Sequence, residues 1–300
     1  MELNKVIEKK LTAEQKNEFE RDDGKFKLLK NIIILPIVTA ILGIYLESIL
    51  IVTISVLFII AFLVISVYAS SRKNKIYENV IIPYVLEEKF DNVEYVKSDV
   101  SLKEEFINSR LAPECDKIEC SNYFRLIEDK YFVEICKVVT NKLDVEENDG
   151  VIDKNLEQNF SGVFARVKLP NKFNVNFKAI KNIKDYGNIN VDKSSTEQLK
   201  MNNLEFDMNY DIFSMEPVSL KRSLSPGVLA RILEINRKLD NVISFSVYDN
   251  VLYVTLEYEK FLEFKGNGKN YVDEELAVQN LEVLEYINYF IRYFVNMTVV

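Results

Sequence analysis

Histidine and tryptophan are absent from this 300-residue chain, and cysteine occurs only three times. The lack of histidine excludes Ser–His and Cys–His nucleophile pairs and most catalytic zinc sites, although carboxylates or lysines can still transfer protons. An odd number of cysteines is atypical of a disulfide framework and fits a reducing compartment. We therefore predict no catalytic residue, no cofactor and no metal ligand, and favour a non-enzymatic role.

Lysine and arginine are absent from residues 31–70, where Glu47 is the single charged residue. The apolar run from Ile32 to Ala69 is much longer than one helix needs to cross a bilayer core of about 30 Å. We therefore predict a two-helix transmembrane hairpin over residues 31–70, with its turn near Glu47–Ser48. An intramembrane proton or ion site at Glu47 is the alternative.

Basic residues flank this hairpin on both sides, whereas its turn has none. The positive-inside rule then places both termini in the cytoplasm and the protein in the inner (cytoplasmic) membrane as a multi-pass protein. Residues 1–30 form a cytoplasmic amphipathic arm in this interpretation, because Leu3, Val6, Ile7 and Leu11 recur at helical spacing. Residues 71–300 form the cytoplasmic domain.

The net charge of −8 falls entirely on residues 71–300, since the first 70 residues are neutral overall. Nucleic acid is an unfavourable partner for an acidic domain, because phosphates require a lysine- and arginine-rich surface. The same charge opposes broad contact with anionic lipid.

Alternating apolar and polar residues predict half-buried strands at 123–143, 160–169 and 173–180. Asn171 and Lys172 supply the expected turn between the last two. Strands mixed with helices and hairpins indicate an α+β fold with a mixed, largely antiparallel sheet and packed helices, rather than a doubly wound parallel sheet.

The C-terminal third has the clearest local signals. Ser225 and Pro226 predict the N-cap and first residue of a helix, and Asp249–Asn250 predicts a two-residue hairpin turn. An amphipathic helix is expected from about Asp273 to Asn296. Its aromatic residues are assigned to the core by default, with a partner-facing surface as the alternative.

Three motifs that could carry chemistry do not fit their patterns. Cys115, Cys120 and Cys136 lack the usual zinc-ligand spacing and have no histidine as a fourth ligand. The acidic stretch 143–158 places Val and Leu where a calcium loop needs its first and twelfth ligands, so we interpret it as a solvated acidic turn. The segment "GNGK" at 266–269 is too short for a phosphate-binding loop.

Three stretches carry a resemblance to a known family. They are "FSGVFARVKLP" at 160–170, "LEFDMNYDIFSMEPVSLKRSLSPGVLARILEI" at 204–235 and "ISFSVYDNVLYVTL" at 243–256. With the basic-flanked hairpin, they make the chain similar to the uncharacterised bacterial membrane-protein family called domain of unknown function three-one-three-seven. Within the second stretch, Phe206, Tyr210, Ile212 and Leu224-Ser225-Pro226 fit the family's pattern.

This resemblance extends over nearly the whole chain, and its motifs are structural rather than catalytic. It implies no site residues, and it suggests a LemA-type membrane protein as a partner. We expect a membrane-anchored, cytoplasm-facing adaptor that binds a protein or a small ligand, with homo-oligomerisation through the hairpin as a further option. The alternatives are a subunit of a membrane enzyme or transporter that uses carboxylates such as Glu47 or Glu87–Glu88, and a structural protein that organises the envelope.

Overall fold

The computed structural model describes residues 3–17, 19, 34–95, 102–128, 130–148, 151–182, 197–266 and 270–297. The chain divides into two compact units. The first unit comprises Met1–Glu88 and Phe264–Glu275, and the second comprises Lys89–Glu263 and Leu276–Val300. Each is described by itself below.

The first unit is mainly helical. Its elements are α1 (Leu3–Lys10), a short helix at 13–17, α2 (Ile34–Tyr45), α3 (Ile49–Ile76), a π-helix (Tyr77–Ile81) and α4 (Ile82–Glu87). The short helix begins with a capping box, in which the Thr12 N–H donates to Gln15 Oε1 at 2.9 Å and the Gln15 N–H donates to Thr12 Oγ1 at 3.2 Å. None of the helices in the described ranges is both long enough and apolar enough to cross a membrane.

Asn4 fixes α1 to the segment 271–274 of the same unit. Its side-chain oxygen accepts hydrogen bonds from the N–H groups of Tyr271 and Val272, at 2.8 and 3.0 Å. Its amide nitrogen donates to the Val272 carbonyl at 3.0 Å and to Glu274 at 3.1 Å. The Asn4 side chain thus bonds to backbone groups of this segment as a neighbouring strand would. On the apolar side of the helix, Leu3 and Ile7 are buried.

The π-helix ends at Ile81, two residues before Pro83. The Ile82 N–H donates to the Tyr77 carbonyl, five residues back, instead of the carbonyl four residues back. Proline has no N–H and its ring collides with the carbonyl of residue i−4, so the preceding turn has to widen for the helix to continue. The chain therefore accommodates Pro83 with a π turn inside a continuous helix.

From residue 93 onward the chain alternates strands and helices. The strands are β1 (Val93–Tyr95), β2 (Lys117–Glu128), β3 (Tyr131–Asn148), β4 (Val151–Lys168), β5 (Phe177–Lys181), β6 (Glu197–Leu199), β7 (Tyr210–Ser214), β8 (Ser244–Tyr248) and β9 (Val251–Glu257). The helices are α5 (Lys103–Asn108), α6 (Leu204–Asn209), α7 (Pro217–Ser223), α8 (Pro226–Leu239) and α9 (Glu274–Val295).

These strands form one sheet in the order β1-β2-β3-β4-β9-β8-β5-β7-β6, and every pairing among the described strands is antiparallel. The predicted α+β class is confirmed. The sheet has two covered faces, which we call the α5 face and the α9 face. On the α5 face, the Phe106 ring lies 5.2 Å from the Phe164 ring, edge to face.

The core of the α9 face is aromatic. Phe245 lies at its centre, with ring centroids at 5.2 Å from Phe290, 5.3 Å from Phe294 and 5.7 Å from Phe177. The assignment of the aromatic residues of α9 to the core is confirmed for Phe290 and Phe294, which are fully buried or nearly so, whereas Tyr289 is 37% exposed. Helix α8 adds a polar link, because Asn236 donates to the Tyr210 hydroxyl at 2.7 Å.

Two local predictions are confirmed. Helix α8 begins at Pro226 with Ser225 as its N-cap, although the Ser225 hydroxyl makes no capping hydrogen bond. Asp249 and Asn250 have φ values of 49° and 64°, which is the type I′ geometry of two-residue hairpins. They join β8 to β9, where Tyr248 pairs with Val251.

The predicted turn between the strands at 160–169 and 173–180 is wrong. Strands β9 and β8 lie between β4 and β5, and residues 173–176 are not in a strand. The connection crosses over the β8–β9 turn, where Asn250 donates to the Leu169 carbonyl and accepts from the Phe173 N–H, both at 2.7 Å. A distant asparagine therefore sets the path that local alternation had assigned to a hairpin.

The interpretation of residues 143–158 as an acidic turn is also corrected. Most of the stretch belongs to two long strands, β3 and β4, which pair up to Asn148 and Val151. The intervening Asp-Gly dipeptide is a recognised two-residue hairpin signal. The acidity of the segment concealed its strand pattern.

Candidate functional site

A row of polar side chains crosses the sheet on its α5 face. Strand register places Glu94, Arg125, Glu134, Arg166 and Tyr253 directly opposite one another on five adjacent strands. Side chains opposite each other in antiparallel strands lie close enough to interact, and here the charges alternate in sign. We call these five residues the charged row.

Glu134 is the centre of the charged row, and its side chain is only 4% exposed. One carboxylate oxygen accepts hydrogen bonds from the Tyr123 hydroxyl and from Arg125 Nη2, the latter at 3.2 Å. The other oxygen accepts from Arg166 Nε. A buried carboxylate needs such partners, because an isolated charge is strongly disfavoured in the protein interior.

Helix α5 places a further carboxylate, that of Glu105, beside the charged row. Glu105 forms an ion pair with Arg166 at 2.6 Å and accepts a hydrogen bond from the Tyr253 hydroxyl at 3.1 Å. The same helix buries Phe106 against Phe160 and Phe164. The row therefore positions α5 as well as the strands.

The protonation states follow from these contacts. Although burial disfavours the charged form, hydrogen bonds from Tyr123 and Arg166 hold the pKa of Glu134 below its ordinary value. Burial, reinforced by Glu134, raises the pKa of Tyr123 to about 12. Burial and the Glu105 charge raise the pKa of Tyr253 to about 12. At neutral pH Glu134 is therefore ionised, whereas the Tyr123 and Tyr253 hydroxyls are neutral.

This arrangement favours structural support over proton transfer. Both oxygens of Glu134 accept hydrogen bonds, and its lowered pKa makes it a weak base. Sequence analysis did not single out Glu134. The available signal was a charged residue in the apolar, strand-like segment "YFVEICKVV" at 131–139, since a buried charge requires a partner.

Lys137 is a second buried charge, and it points to the opposite face of the sheet from Glu134, three residues away on β3. Its ammonium group pairs with Glu263 and donates to the Glu259 carbonyl at 3.0 Å. The lysine thereby fixes the turn that follows β9.

The cysteines are free thiols. Cys136 is buried, whereas Cys115 and Cys120 are half-buried. The Cys136 thiol donates a hydrogen bond to Cys120, which lowers the pKa of Cys120 and raises that of Cys136. Within the described part of the chain, no group of three cysteine or acidic side chains is arranged to hold a metal ion.

Helices α2 and α3 form a hairpin. Thr39 Oγ1 and Ser55 Oγ lie 2.9 Å apart between the two helices, and Ser55 is only 4% exposed. A Cβ atom on Gly43 would lie 2.9 Å from the Ile51 side chain and 3.0 Å from the Val52 side chain. Small residues thus allow close packing along the inner side of the hairpin.

The turn of the hairpin is a Schellman motif. The Ser48 N–H donates to the Gly43 carbonyl at 2.9 Å, and the Glu47 N–H donates to the Ile44 carbonyl at 3.1 Å. Glu47 has a φ of 51°, in the left-handed region. Glu47 therefore lies in the turn, whereas Glu87 and Glu88 lie within 4 Å of the Lys10 ammonium group.

The outer side of the hairpin is apolar and exposed. Ile49 and Leu50 are 84% and 72% exposed, and Leu57 and Phe58 are 60% and 64% exposed. Exposed apolar surface of this extent is atypical of soluble monomers and marks a site of contact with protein or membrane.

A family model described as "Protein of unknown function (DUF3137)" matches residues 158–294. These residues belong to that family. The DUF3137 region runs from within β4 to the last turn of α9 and includes Arg166 and Tyr253 of the charged row. Glu134 and the hairpin lie outside the matched region. No protein with a curated description and no solved structure matches the chain.

Proposed function

We propose that this protein is a membrane-attached binding protein of the bacterial inner membrane, with the α2–α3 hairpin as its anchor. The exposed apolar outer side of the hairpin is the observation that carries the proposal. Side chains such as Leu50, Leu57 and Phe58 are more than half exposed, and burial in lipid would remove this surface from water.

The distribution of charge supports the same proposal. The apolar run from Ile32 to Ala69 has one charged residue, and that residue lies in the turn. Basic residues before and after the run favour an orientation with both ends in the cytoplasm. The domain that follows then faces the cytoplasm.

The second unit carries the binding function in this proposal. The acidic charge of residues 71–300 favours a protein or small-molecule partner over nucleic acid. The charged row supports a rigid scaffold, because Glu134 and Glu105 link three strands and α5 through hydrogen bonds and ion pairs. A LemA-type membrane protein is the partner that the family resemblance suggests.

Lysines placed on the outer side of the hairpin are expected to release the protein from membranes. Ile41→Lys with Leu57→Lys puts two charges on side chains that are 61% and 60% exposed. Each lysine near the centre of a membrane helix costs about 3 kcal/mol on insertion scales. The variant is expected in the supernatant after carbonate extraction, where the unmodified protein remains in the membrane fraction.

The matched control is Leu204→Lys, since this leucine is 79% exposed but lies on α6 of the second unit. It is expected to remain in the membrane fraction. Equal release of both lysine variants would refute the assignment of the hairpin as the anchor.

Membrane topology gives a separate expected result. A cysteine at Glu47 is expected to react with a membrane-impermeant maleimide in intact cells, because the turn lies on the outer side. A cysteine at Lys168, exposed at the end of β4, is expected to react only after permeabilisation. Both cysteine variants are made with Cys115→Ser and Cys120→Ser, because these two thiols are half-buried, whereas Cys136 is buried. Labelling at 168 from outside would reverse the orientation.

A further inference from the structure

The hairpin of β3 and β4 extends beyond the rest of the sheet. Strand β2 pairs with β3 only up to Asn141, and β9 pairs with β4 only from Gly162 onward. Residues 142–148 and 151–157 therefore pair only with each other in the described sheet. We call this two-stranded extension the β arm.

The β4 edge of the arm has backbone groups without a strand partner among the described residues. The Leu143 N–H donates to the Asp116 carboxylate at 2.7 Å, so it points away from β4. Leu143 pairs with Leu156, and backbone groups in an antiparallel pair alternate between facing the partner and facing away. The N–H groups of Leu156, Lys154 and Ile152 therefore point outward, along the same edge that pairs with β9 farther along the strand.

An edge of this kind is a site for strand addition. Isolated two-stranded ribbons are marginally stable in water, and unpaired edges accept a further strand. On the β3 side, the Asp116 carboxylate accepts a hydrogen bond from the first outward N–H, and an ion pair joins Lys142 to Glu114 at 3.0 Å. The β4 side has no such acceptor among the described residues. Leu156 is 55% exposed there.

The acidic charge of the β arm determines which kind of segment can bind at the β4 edge. Residues 142–157 contain six acidic residues and two lysines. A second copy of the arm would bring like charges together, which opposes self-pairing, whereas a lysine- or arginine-rich segment would be attracted. We propose that the outer edge of β4 at residues 151–158 binds an extended basic segment of a partner protein as an added antiparallel or parallel strand.

This inference names the partner chemistry of the proposed binding role, and it does not depend on membrane attachment. Carbonate extraction tests the anchor, whereas peptide binding to the detergent-solubilised full chain tests the arm. The two proposals can therefore fail separately.

The probe is a fluorescent alternating lysine–valine peptide that matches the β4 edge in length, and binding is measured by fluorescence anisotropy. Two further peptides act as controls: a glutamate–valine peptide, and the lysine–valine peptide N-methylated at every backbone amide. The first reverses the charge, and the second keeps the charge but cannot donate backbone hydrogen bonds. Strand addition predicts that only the unmodified basic peptide binds tightly.

Variants of the arm test separately how its outward N–H groups and its acidic side chains contribute to peptide binding. Leu156→Pro removes one outward N–H, and proline is tolerated at such edge positions; Leu156→Thr retains that N–H. We expect Leu156→Pro to weaken peptide binding about tenfold and Leu156→Thr to change it less than about twofold. Asp153→Asn with Glu157→Gln is expected to weaken binding by about tenfold at low salt.

Equal binding of the N-methylated peptide would overturn strand addition in favour of charge attraction alone. Tight binding of the glutamate–valine peptide would overturn the basic partner. Concentration-dependent self-association in sedimentation experiments, abolished by Leu156→Pro, would identify a second copy as the occupant and overturn the proposal.

Discussion

Glu134→Gln is expected to lower the free energy of unfolding by about 3 kcal/mol, because the buried Glu134 carboxylate accepts charge-assisted hydrogen bonds from two arginines. The substitution retains the shape of the side chain but removes the negative charge between Arg125 and Arg166. It also weakens the acceptor of the Tyr123 hydroxyl. Pulse proteolysis across a urea series measures the loss in the full chain, which lacks tryptophan as a fluorescence probe.

The matched control is Glu94→Gln at the end of the same charged row. The Glu94 side chain is 54% exposed, and its carboxylate lies 3.6 Å from Arg125. Exposed ion pairs contribute little, so the expected change is below about 0.5 kcal/mol. Losses of equal size for the two variants would contradict the central role of Glu134.

The effect of Glu134 also depends on pH in a definite direction. Its pKa is lower in the folded state than in the unfolded chain, where glutamate titrates near 4.3. The folded state therefore gains stability from the ionised carboxylate above that value, and loses it as the pH falls through the lower folded pKa. The stability difference between the parent protein and Glu134→Gln should shrink progressively below about pH 4.

Gly162→Ala is expected to cost about 3 kcal/mol or more, because the new methyl group has no room. A Cβ atom at this position would lie 2.1 Å from the Leu256 carbonyl oxygen and 3.0 Å from the Glu257 Cα. Both contacts are with backbone, so relief requires β4 and β9 to separate. Gly162 pairs with Glu257, at the end of the ladder that joins these strands.

Gly227→Ala is the control for glycine replacement itself. A Cβ atom there would meet nothing closer than the Ser225 Oγ at 4.0 Å, near the start of α8. Alanine has the higher helix propensity, so stability should stay the same or rise by up to about 1 kcal/mol. Urea midpoints for the two variants should move in opposite directions or differ widely. Similar losses would place the defect outside the β4–β9 contact.

Local signals predicted those parts of the fold in which neighbouring residues determine the conformation. Ser225-Pro226 fixed the start of α8, and Asp249-Asn250 the hairpin of β8 and β9, because caps and two-residue turns are short-range features. The course of the chain after Pro170 could not be predicted from neighbouring residues. It depends on Asn250, which bonds to residues 77 and 81 positions away.

The charged row was beyond local analysis for the same reason. Glu134 meets Arg125 from nine positions away and Arg166 from 32 positions away, and strand register alone brings them together. The short strands β6 and β7 also lack enough residues to show an alternating pattern. The hairpin is different, since its apolar run is continuous in sequence.

The π turn at Tyr77–Ile81 determines the rotational phase of the helix that follows it. Each residue of an α-helix advances by about 100°, so one extra residue in a turn rotates everything beyond it by that angle. Ile82, Val85 and Leu86 are fully buried in this phase. Without the extra residue, these side chains would be rotated by about 100° away from their buried positions. Pro83 therefore determines how α4 is rotated about the helix axis relative to α3, in addition to widening one turn.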